Sequence, residues 1–477
     1  MTTEKSAEKQ SWRYREIRIE GINLDFIMKA TGGILSGNHS NPYISGISTD
    51  SRSIGKDELF LALKGDTFDG HDYAAEALKK GACGVIVERK FDNIEDYSFL
   101  IEVPSTLEAL GNLANAWRMR YKDLKLVAIT GSNGKTTTKE MISGILASRY
   151  KIIKNHGNLN NLIGLPLTLL GIAPDHDIAV VELGMNTFGE IRKLAEICCP
   201  DIGIITNIGK AHIGNLGGIE GVKKAKSELV ENFDNTDKIF IVNTDDFRVA
   251  DIADQINCNK ITYGLNGNPD YKAYDIKREP GGFVSFKTQI SNVMTEIKIR
   301  TIGLHNILNA LCAISVGGIF KLTPEQIRES LENFSFPKMR LEILKSNRGF
   351  TIINDSYNAN PDSTRSALGE LVEIKGRGKA IAVLGDMLEL GEMSDTEHRN
   401  IGKCVSELGV DYLFSTGVHG RAIYEAAKSS VKALHSEDQK ELSDAILEVA
   451  NRDDVVLVKG SRGMKMENIV KYLEAGQ

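Results

Sequence analysis

Apolar and polar residues alternate in blocks along this chain, and the lengths of the blocks predict repeated strands and helices. From about residue 121, short apolar runs recur between segments with helical spacing, and each run is typical of a buried strand. Strands that alternate with helices predict a parallel sheet covered by helices, with ligands at the carboxyl ends of the strands. The candidate strands are Leu126–Ile129, Ile178–Val181, Ile202–Ile205 and Ile239–Val242.

The pattern differs on both sides of these strands. Before them, the strand-like runs Leu59–Leu63 and Val85–Val87 flank a helix-like segment, Tyr73–Leu78, which predicts a small α/β unit. After them, residues 270–302 alternate polar and apolar positions, and this spacing predicts a β excursion. A helix around Asn306–Ile314 is expected to end the central region.

The composition becomes loop-like at Pro337, and beyond it short apolar runs again alternate with helical segments. This pattern predicts a compact doubly wound α/β domain. A chain of 477 residues is too long for one hydrophobic core. We therefore predict an α/β protein with three domains, residues 1–120, 121–336 and 337–477. The candidate strands of the last domain are Ala380–Leu384, Tyr412–Phe414 and Val455–Val458.

Composition narrows the class of protein. Hydrophobic residues make up 42% of the chain and charged residues 26%, as in ordinary globular proteins. No apolar run approaches the roughly 18 residues of a membrane helix, and the charged segment Met1–Glu16 is unlike a secretory signal and is expected to be a frayed tail. Six cysteines without a Cys-x-x-Cys pair indicate buried free thiols in a cytoplasmic protein. A net charge of −6 argues against nonspecific nucleic-acid binding, and no nucleic-acid partner is expected.

Residues 130–137, Thr-Gly-Ser-Asn-Gly-Lys-Thr-Thr, form the most informative motif. A glycine-bearing turn between a strand and a helix directs several backbone N–H groups and the helix dipole towards one point, which favours phosphate. Lys135 can then reach the outer phosphates and the Thr136 hydroxyl can bind Mg²⁺. Only two residues separate Gly131 from the Gly-Lys pair, where the common pattern has four, and the alternative is a chance match in a surface turn. The predicted nucleotide-binding residues here are Gly131, Ser132, Asn133, Gly134, Lys135, Thr136 and Thr137.

Three further residues are candidates for catalysis, and each also has a non-catalytic interpretation. Glu182 follows a predicted strand and is well placed to hold Mg²⁺, but it can equally be a solvated loop carboxylate. His212 also follows a strand and can bind a second metal ion, although a lone histidine is more often structural. Lys226, on a predicted helix, is by composition alone a surface lysine.

The motifs and their order resemble the Mur ligase family of peptidoglycan synthesis. The short phosphate loop is followed by Glu-Leu-Gly-Met at 182–185, Thr-Asn-Ile-Gly-x-Ala-His at 206–212, and Ala-Lys-x-Glu at 225–228. Residues 303–310 are similar to the adenine-side helix of the family. The segments 355–361, 383–391 and 458–462 are similar to the member that adds the dipeptide D-Ala-D-Ala to UDP-MurNAc-tripeptide.

The resemblance implies a small N-terminal α/β domain that binds the UDP-sugar-peptide, a central P-loop ATP-binding domain, and a C-terminal Rossmann-like domain for the acceptor. It also implies ATP-driven amide formation, in which the tripeptide carboxylate forms an acyl phosphate that the dipeptide amine attacks. The cofactors implied are ATP and Mg²⁺, with Thr136, Glu182 and His212 as metal ligands. Lys226 corresponds to a family lysine that CO₂ converts to a carbamate, which would complete the metal site.

Further nucleotide contacts follow from the same resemblance. Asn306 and Asn309 offer amides for an adenine edge, with a helix cap and an exposed polar face as the alternative. Arg340 matches an arginine that reaches the nucleotide when the domains close, and Asp355 matches an acidic residue near the ribose. We therefore expect an open state without ligands and closure on binding.

The resemblance assigns substrate contacts to all three domains. Asp386, together with Glu389, can recognise the ammonium group of the acceptor or can be a solvated loop carboxylate. The predicted contacts are Ser51, Arg52, Lys64, Gly65, Asp69 and His71 on the uridine side, Asn158, Asn160 and Asn161 in the central domain, and Asn358, Asn360, Ser363 and Asp386 on the acceptor side.

Three alternatives remain at this point. The family ligase that adds the third amino acid usually carries an Asp-Tyr-Ala-His-Thr-Pro-type segment where this chain has residues 355–361, which argues against it. A folylpolyglutamate-type ligase shares the phosphate loop. A nucleotide switch without bond-forming chemistry would not require His212, Lys226 and an acceptor domain. The sequence leaves open the third residue of the donor peptide and the strictness for D-Ala-D-Ala. A monomer is expected only because members of the family usually work without tight oligomers.

Overall fold

The computed structural model describes residues 22–37, 42–65, 67–89, 99–234, 237–279 and 282–476. The predicted tail Met1–Glu16 lies outside these ranges. By its internal contacts the chain divides into two compact units. The first comprises residues 1–126, 153–179 and 193–199, and the second comprises residues 127–152, 180–192 and 200–477. The predicted boundaries after residues 120 and 336 stay predictions.

The N-terminal region folds around a five-stranded sheet in the order β1-β5-β4-β3-β2. Only the β1–β5 pair is antiparallel among these strands. A cluster of buried apolar side chains that includes Phe60, Val85 and Leu100 fills its core. The elements are α1 (Leu24–Thr31), β1 (Ile34–Gly37), β2 (Gly46–Ser48), β3 (Glu58–Leu61), α2 (Ala74–Lys79), β4 (Gly84–Val87), β5 (Phe99–Glu102) and α3 (Thr106–Arg118).

The central region begins with a seven-stranded sheet whose order is β12-β11-β10-β9-β6-β8-β7. The pairs from β12 to β6 are parallel, as the alternation of strands and helices predicts. Its elements up to the β excursion are β6 (Lys125–Thr130), α4 (Lys135–Ala147), β7 (Ile152–Lys154), α5 (Gly164–Leu170), β8 (Ile178–Glu182), α6 (Glu190–Cys198), β9 (Ile202–Ile205), α7 (Ile213–Leu216), α8 (Ile219–Ser227), β10 (Ile239–Asn243), α9 (Phe247–Gln255), β11 (Asn259–Gly264) and β12 (Tyr271–Lys272).

The predicted β excursion is confirmed as a separate antiparallel sheet in the order β13-β14-β15. The helix that follows it is longer than predicted, because its apolar positions continue to Ile319 and pack against α4. The remaining elements of the central region are β13 (Tyr274–Glu279), β14 (Phe283–Ile290), β15 (Val293–Ile299), α10 (His305–Ile319) and α11 (Pro324–Glu332).

The C-terminal region has a six-stranded sheet in the order β16-β17-β21-β18-β19-β20. Four of its five strand pairs are parallel, and only the edge pair β16–β17 is antiparallel. The elements are β16 (Glu342–Lys345), β17 (Thr351–Asp355), α12 (Pro361–Ile374), β18 (Ala380–Leu384), α13 (Ser394–Glu407), β19 (Tyr412–Ser415), α14 (Gly420–Ala427), β20 (Lys432–His435), α15 (Gln439–Val449), β21 (Val455–Lys459) and α16 (Glu467–Ala475).

The predicted α/β class with several parallel sheets is confirmed. Both the central and the C-terminal sheets end their parallel strands in loops, and these loops carry most of the residues singled out from the sequence. None of the helices in the described ranges combines the length and the apolar character that crossing a bilayer requires.

Candidate active site

The phosphate loop runs from the end of β6 at Thr130 to the start of α4 at Lys135. Gly131 has φ +149° and Gly134 has φ +82°, which are conformations that side chains strongly disfavour. A Cβ atom on Gly134 would lie 2.6 Å from the Asn309 side-chain oxygen. The loop therefore needs glycine at both positions. The motif lies between a strand and a helix, which differs from the alternative of a chance sequence match in a surface turn.

Hydrogen bonds fasten this loop to the turn that follows β9. The Ser132 hydroxyl donates to the Gly209 carbonyl at 3.0 Å and accepts from the Gly209 amide at 2.8 Å. The Asn133 amide donates to the Asn207 side-chain oxygen at 2.9 Å. The Asn133 carbonyl accepts from the Thr206 hydroxyl at 2.6 Å and from Asn207 Nδ2 at 3.0 Å. The segment 206–212, which we call the central turn, is thus coupled directly to the phosphate loop.

Two lysines near this loop have lowered pKa values. Lys135 Nζ donates to the Gly131 carbonyl at 2.7 Å, and burial lowers its pKa while the charge of Glu182 opposes the shift. Lys226 on α8 is only 1% exposed, so the surface-lysine alternative is wrong. Burial, followed by repulsion from Lys135, holds the pKa of Lys226 well below its usual value. A neutral amine at Lys226 is the form that reacts with CO₂.

Thr136, in the first turn of α4, meets both a carboxylate and an arginine. Its hydroxyl donates to Glu182 Oε2 at 2.8 Å and accepts from Arg340 Nη2 at 3.1 Å. Glu182 is 4% exposed at the end of β8, so it is not a solvated loop carboxylate. The Arg340 guanidinium also lies 4.2 Å from the centroid of the Tyr357 ring. A residue beyond the predicted domain boundary therefore reaches the phosphate loop.

The donor chemistry around Thr136 fits Mg²⁺. A hydroxyl and a carboxylate supply the oxygen ligands that Mg²⁺ prefers, and this ion usually takes its other ligands from water and substrate phosphates. Within the described ranges, no group of three or more His, Cys, Asp and Glu side chains is arranged to hold a metal ion by itself. Thr136 and Glu182 would therefore hold the ion together with the nucleotide.

His212 ends the central turn in a left-handed conformation, with φ +59°, where α7 begins. Its Nδ1 lies 2.7 Å from Glu389 Oε2, and this contact is the main reason that the pKa of Glu389 is lowered. The Gly214 amide donates to the Glu389 carbonyl at 3.2 Å. Glu389 therefore faces a histidine of the central region, rather than standing as an isolated loop carboxylate.

Asn306 and Asn309 are buried on α10, with 3% and 6% exposure, so their alternative as an exposed polar face is wrong. Asn309 Nδ2 donates to Asn306 Oδ1, and Asn306 Nδ2 donates to the Thr301 hydroxyl, both at 2.8 Å. The Thr138 hydroxyl on α4 donates to Asn309 Oδ1 at 3.1 Å. In this arrangement the two amides support the phosphate loop from behind, and their contact with adenine stays a prediction.

The carboxylate of Asp355, at the end of β17, contacts a lysine side chain and a backbone amide. Lys459 Nζ lies 2.5 Å from Asp355 Oδ2 and donates to the Asn358 carbonyl at 3.0 Å. The Leu341 amide donates to Asp355 Oδ1 at 3.1 Å. Lys459 is 2% exposed, so this buried ion pair fixes the loop that carries the predicted acceptor residues.

The predicted acceptor residues Asn360 and Ser363 form a capping box at the start of α12. Asn360 Oδ1 accepts from the Ser363 amide at 2.9 Å, while Asn360 Nδ2 donates to Asn133 Oδ1 at 2.7 Å. Asn358 Oδ1 accepts from the Ala359 amide at 2.9 Å. Asn360 thus joins the loop between β17 and α12 to the phosphate loop.

Asp386, after β18, is 5% exposed, so the solvated alternative is wrong for this residue. Its Oδ1 accepts from the Gly420 amide at 2.6 Å, at the start of α14. This carboxylate therefore complements the positive end of a helix, and recognition of a substrate ammonium group by Asp386 stays a prediction.

Sequence reasoning missed Lys210 in the central turn. Its Nζ donates to the buried carboxylate of Glu397 on α13 at 2.7 Å, and its amide donates to Asp362 Oδ2 at 2.7 Å. Glu397 is 2% exposed although it lies on a helix with many charged residues. No sequence signal pairs these residues, because they are 187 positions apart.

In the first compact unit, four of the six predicted uridine-side residues lie close together in the sequence: Lys64, Gly65, Asp69 and His71. His71 Nδ1 lies 2.5 Å from Asp69 Oδ1, and His71 Nε2 accepts from the Glu88 amide at 2.9 Å. Because that amide can only donate, the proton lies on Nδ1. Lys64 and Asp69 form an isolated β-bridge, and the Gly65 amide donates to the Phe68 carbonyl at 2.9 Å.

Two more predicted substrate segments lie in the same unit. The Arg52 guanidinium forms a two-pronged ion pair with Asp50 at 2.8 and 2.9 Å, and the Ser51 carbonyl accepts from Lys80 Nζ at 3.0 Å. Asn161 Oδ1 accepts from the amide of Gly164, the first residue of α5, at 2.9 Å. The segment before it turns through a bond from the Asn160 amide to the Asn158 carbonyl at 2.8 Å.

Comparison with known proteins decides the family. Models of the Mur ligase family, catalytic domain, of the Mur ligase middle domain, and of the Mur ligase, glutamate ligase domain match residues 43–118, 129–317 and 339–462. UDP-N-acetylmuramoyl-tripeptide–D-alanyl-D-alanine ligase of Bacillus subtilis strain 168 is 36% identical over 445 residues, covering 93% of this chain and 96% of the relative. The chain belongs to the Mur ligase family.

Solved structures of Mur ligases agree with this assignment. A crystal structure of MurF from Acinetobacter baumannii is 32% identical, with a TM-score of 0.88, and the match covers 96% of this chain and 99% of that one. MurF ligase from Thermotoga maritima in complex with ADP is 26% identical, with a TM-score of 0.81 over 90% of this chain and 96% of that one. Each of the three matched family segments falls inside one of the predicted Mur ligase domains.

Proposed function

We propose that this chain joins D-Ala-D-Ala to UDP-MurNAc-tripeptide, with hydrolysis of ATP to ADP and phosphate, and so makes UDP-MurNAc-pentapeptide. The observation that carries this proposal is the full-length similarity to proteins named for that reaction, including the Bacillus subtilis ligase at 36% identity. The ADP complex of the Thermotoga maritima relative supports ATP as the energy source. The part-buried Thr136–Glu182 contact beside the phosphate loop supplies the local chemistry.

The reaction needs positive charge between two anions. The tripeptide carboxylate attacks the γ-phosphate and gives an acyl phosphate and ADP; the dipeptide amine then attacks the acyl carbon, and phosphate leaves. Lys135 and the loop amides neutralise the β- and γ-phosphates, and Arg340 adds a second cation beside Thr136. Mg²⁺, held by Thr136 and Glu182, would supply further charge neutralisation on the phosphates.

We infer that Lys226 becomes a carbamate and that His212 belongs to the same metal-binding site. The support for the carbamate is the burial of Lys226 and its lowered pKa, since only the neutral amine reacts with CO₂. Its negative charge would offset Lys135 nearby. Activity should fall in CO₂-depleted buffer and return with bicarbonate, and ¹³CO₂ should give a carbamate carbon signal that is missing in K226R. Full activity without CO₂ would contradict the modification.

We also propose the division of labour among domains 1–120, 121–336 and 337–477 as UDP-sugar-peptide, ATP and acceptor binding. The Asp69–His71 contact, the contact of Asn161 with the first residue of α5, and the capping box at Asn360 support sites for the two substrates. ATP and UDP-linked precursors are intracellular metabolites, so we place the protein in the cytoplasm. We expect a monomer, which light scattering of the purified chain tests.

The deciding experiment measures ATP-dependent phosphate release with UDP-MurNAc-tripeptide, with and without D-Ala-D-Ala, and reads the product mass in the same tubes. Release that needs both substrates, with a product heavier by the dipeptide less water, supports the proposal. Donors ending in meso-diaminopimelate and in lysine should be compared to identify the third residue. Release without either substrate would favour a nucleotide switch, and turnover with a different amine would overturn the assignment of the acceptor.

A further inference from the structure

His398 on α13 is a fully buried histidine that the proposed chemistry does not use. Its Nε2 accepts from the Met387 amide at 2.9 Å, and its Nδ1 lies 2.7 Å from the Ser394 carbonyl oxygen. A backbone amide can only donate and a carbonyl can only accept. The two contacts therefore require the neutral ring with its proton on Nδ1.

The contact with Met387 holds the loop of residues 385–391, which we call the acceptor loop. On its other side, the Leu388 amide donates to the Ser461 hydroxyl at 2.9 Å. The next residue, Glu389, faces His212 at 2.7 Å and accepts from the Gly214 amide through its carbonyl. His398 thus fixes a backbone position two residues away from the contact with the central turn.

The surroundings of His398 favour the neutral ring. The ring stacks on the imidazole ring of His419, with the ring centroids 5.2 Å apart and the ring planes at 30°. Burial lowers the pKa of His398 below its ordinary 6.5, and His419 acts in the same direction. The Ser394 carbonyl, Asp386 on the acceptor loop and Asp395 on α13 oppose the shift.

We propose that His398 is a positioning residue of the ligase, which holds the Met387 amide and thereby the acceptor loop with Asp386 and Glu389. Protonation puts an N–H group of the ring against the N–H group of Met387 and removes the acceptor. The buried amide then has lost its partner, and the loop is released from the central turn. The kinetic part of this inference rests on the proposed function.

The first experiment compares H398Q with H398A. A glutamine oxygen can replace Nε2 as the acceptor but does not titrate in this range, so H398Q should keep kcat/KM for D-Ala-D-Ala at pH 8 within about threefold of wild type. H398A leaves the Met387 amide without an acceptor and should lose at least about tenfold at pH 8, where the wild-type ring is neutral. The acid limb of the pH profile should flatten below pH 6.5 in H398Q.

The matched control is H435Q, because His435 lies on β20 of the same domain, where its Nδ1 lies 3.0 Å from the Ser415 hydroxyl on β19. H435Q should keep the wild-type acid limb. If H398Q also keeps it, or if H398Q loses as much activity as H398A at pH 8 while both melt as wild type does, the proposal is wrong.

A second measurement does not depend on catalysis or on folding of a variant. Nitrogen NMR of wild-type protein labelled with ¹⁵N-histidine at pH 7.5, assigned by the signal lost in H398Q, should show a protonated Nδ1 and an unprotonated Nε2 at His398. The opposite tautomer, or a ring protonated on both nitrogens, would overturn the positioning role. Because no substrate is present, a chain with no ligase activity would contradict the proposed function while leaving this result to stand.

Discussion

The ammonium group of Lys210 in the central turn lies 2.7 Å from the buried carboxylate of Glu397 on α13. Lys210 is partly exposed and Glu397 is almost completely buried, with side-chain exposures of 38% and 2%. The same lysine donates its backbone amide to Asp362 at 2.7 Å. One residue of the central region therefore holds two helices of the C-terminal region by its side chain and its backbone.

Removing one member of this ion pair should lower the stability of the protein more than removing both members. K210A leaves the Glu397 charge buried without its cation and should lower the free energy of unfolding by about 2–4 kcal/mol. The double variant K210M/E397L should lose less than K210A alone, because no charge stays buried. Urea unfolding of the three proteins measures this, and K210A with wild-type stability would show that the pair contributes little. The matched control is R399A, which breaks an exposed ion pair with Asp395 on the same helix.

Gly134→Ala should damage the phosphate loop. The added Cβ lies 2.6 Å from Asn309 Oδ1 at a φ of +82°, so we expect a loss of about 1–3 kcal/mol in stability and much weaker ADP binding. Gly144→Ala in the same helix meets open space and should instead stabilise the protein by about 0.5–1 kcal/mol. Thermal unfolding with and without ADP distinguishes the two, and equal behaviour of both variants would contradict this account of the loop.

Thr136→Val keeps the shape of the side chain but removes the hydroxyl that meets Glu182 and Arg340. We expect kcat to fall on the order of 10–100-fold and the apparent Mg²⁺ requirement to rise, because an oxygen ligand is lost. Thr136→Ser retains the hydroxyl and should stay within a few-fold of wild type. Magnesium titrations of initial rates measure both effects, and an unchanged requirement in Thr136→Val would remove Thr136 from the metal site.

Lys226→Arg introduces a permanent positive charge and cannot become neutral or form a carbamate. We expect the rate to fall more than about 100-fold, since a guanidinium would stay charged at a buried position next to Lys135. Lys224→Arg, on the exposed face of the same helix, is the matched control and should be nearly neutral. Activity near the wild-type level in Lys226→Arg would exclude the carbamate.

The Glu389–His212 contact should make stability depend on pH in the acidic range. The pKa of Glu389 is lowered from 4.5 in the folded state, so the unfolded chain takes up its proton first as the pH falls. The stabilisation that this contact contributes is therefore present above about pH 4.5, and it is lost as the pH falls through the pKa of Glu389 in the folded state. Melting curves of wild type and Glu389→Gln should differ at pH 6 and converge towards pH 3, and curves that stay parallel would rule out this source.

The sequence predicted the phosphate loop well because the loop is local. Eight consecutive residues hold the end of a strand, a glycine turn and the start of a helix, and each signal is readable within that window. The β excursion was equally legible from its alternating pattern. Several strands are not among the candidates. Three of them, the edge strands β7, β16 and β20, are three or four residues long and half exposed, which gives a weak apolar signal.

The partners of the candidate residues could not be predicted, because pairing is decided by the fold. Glu397 sits in a helix rich in charged residues, and nothing local marks it as the buried one. Asp386 was assigned to substrate by resemblance, whereas its partner in the structure is a helix start 34 residues later. His398 was not singled out at all, since a lone histidine in a polar helix carries no signal of what its nitrogens contact.

Asn360 holds the start of its own helix through Ser363 and at the same time reaches Asn133 in the phosphate loop. A side chain that is already fixed by a helix cap has little rotational freedom left to lose when it docks on a second surface. The link between the β17–α12 loop and the phosphate loop is therefore preorganised: it forms at a small entropic cost, and its geometry is inherited from the helix.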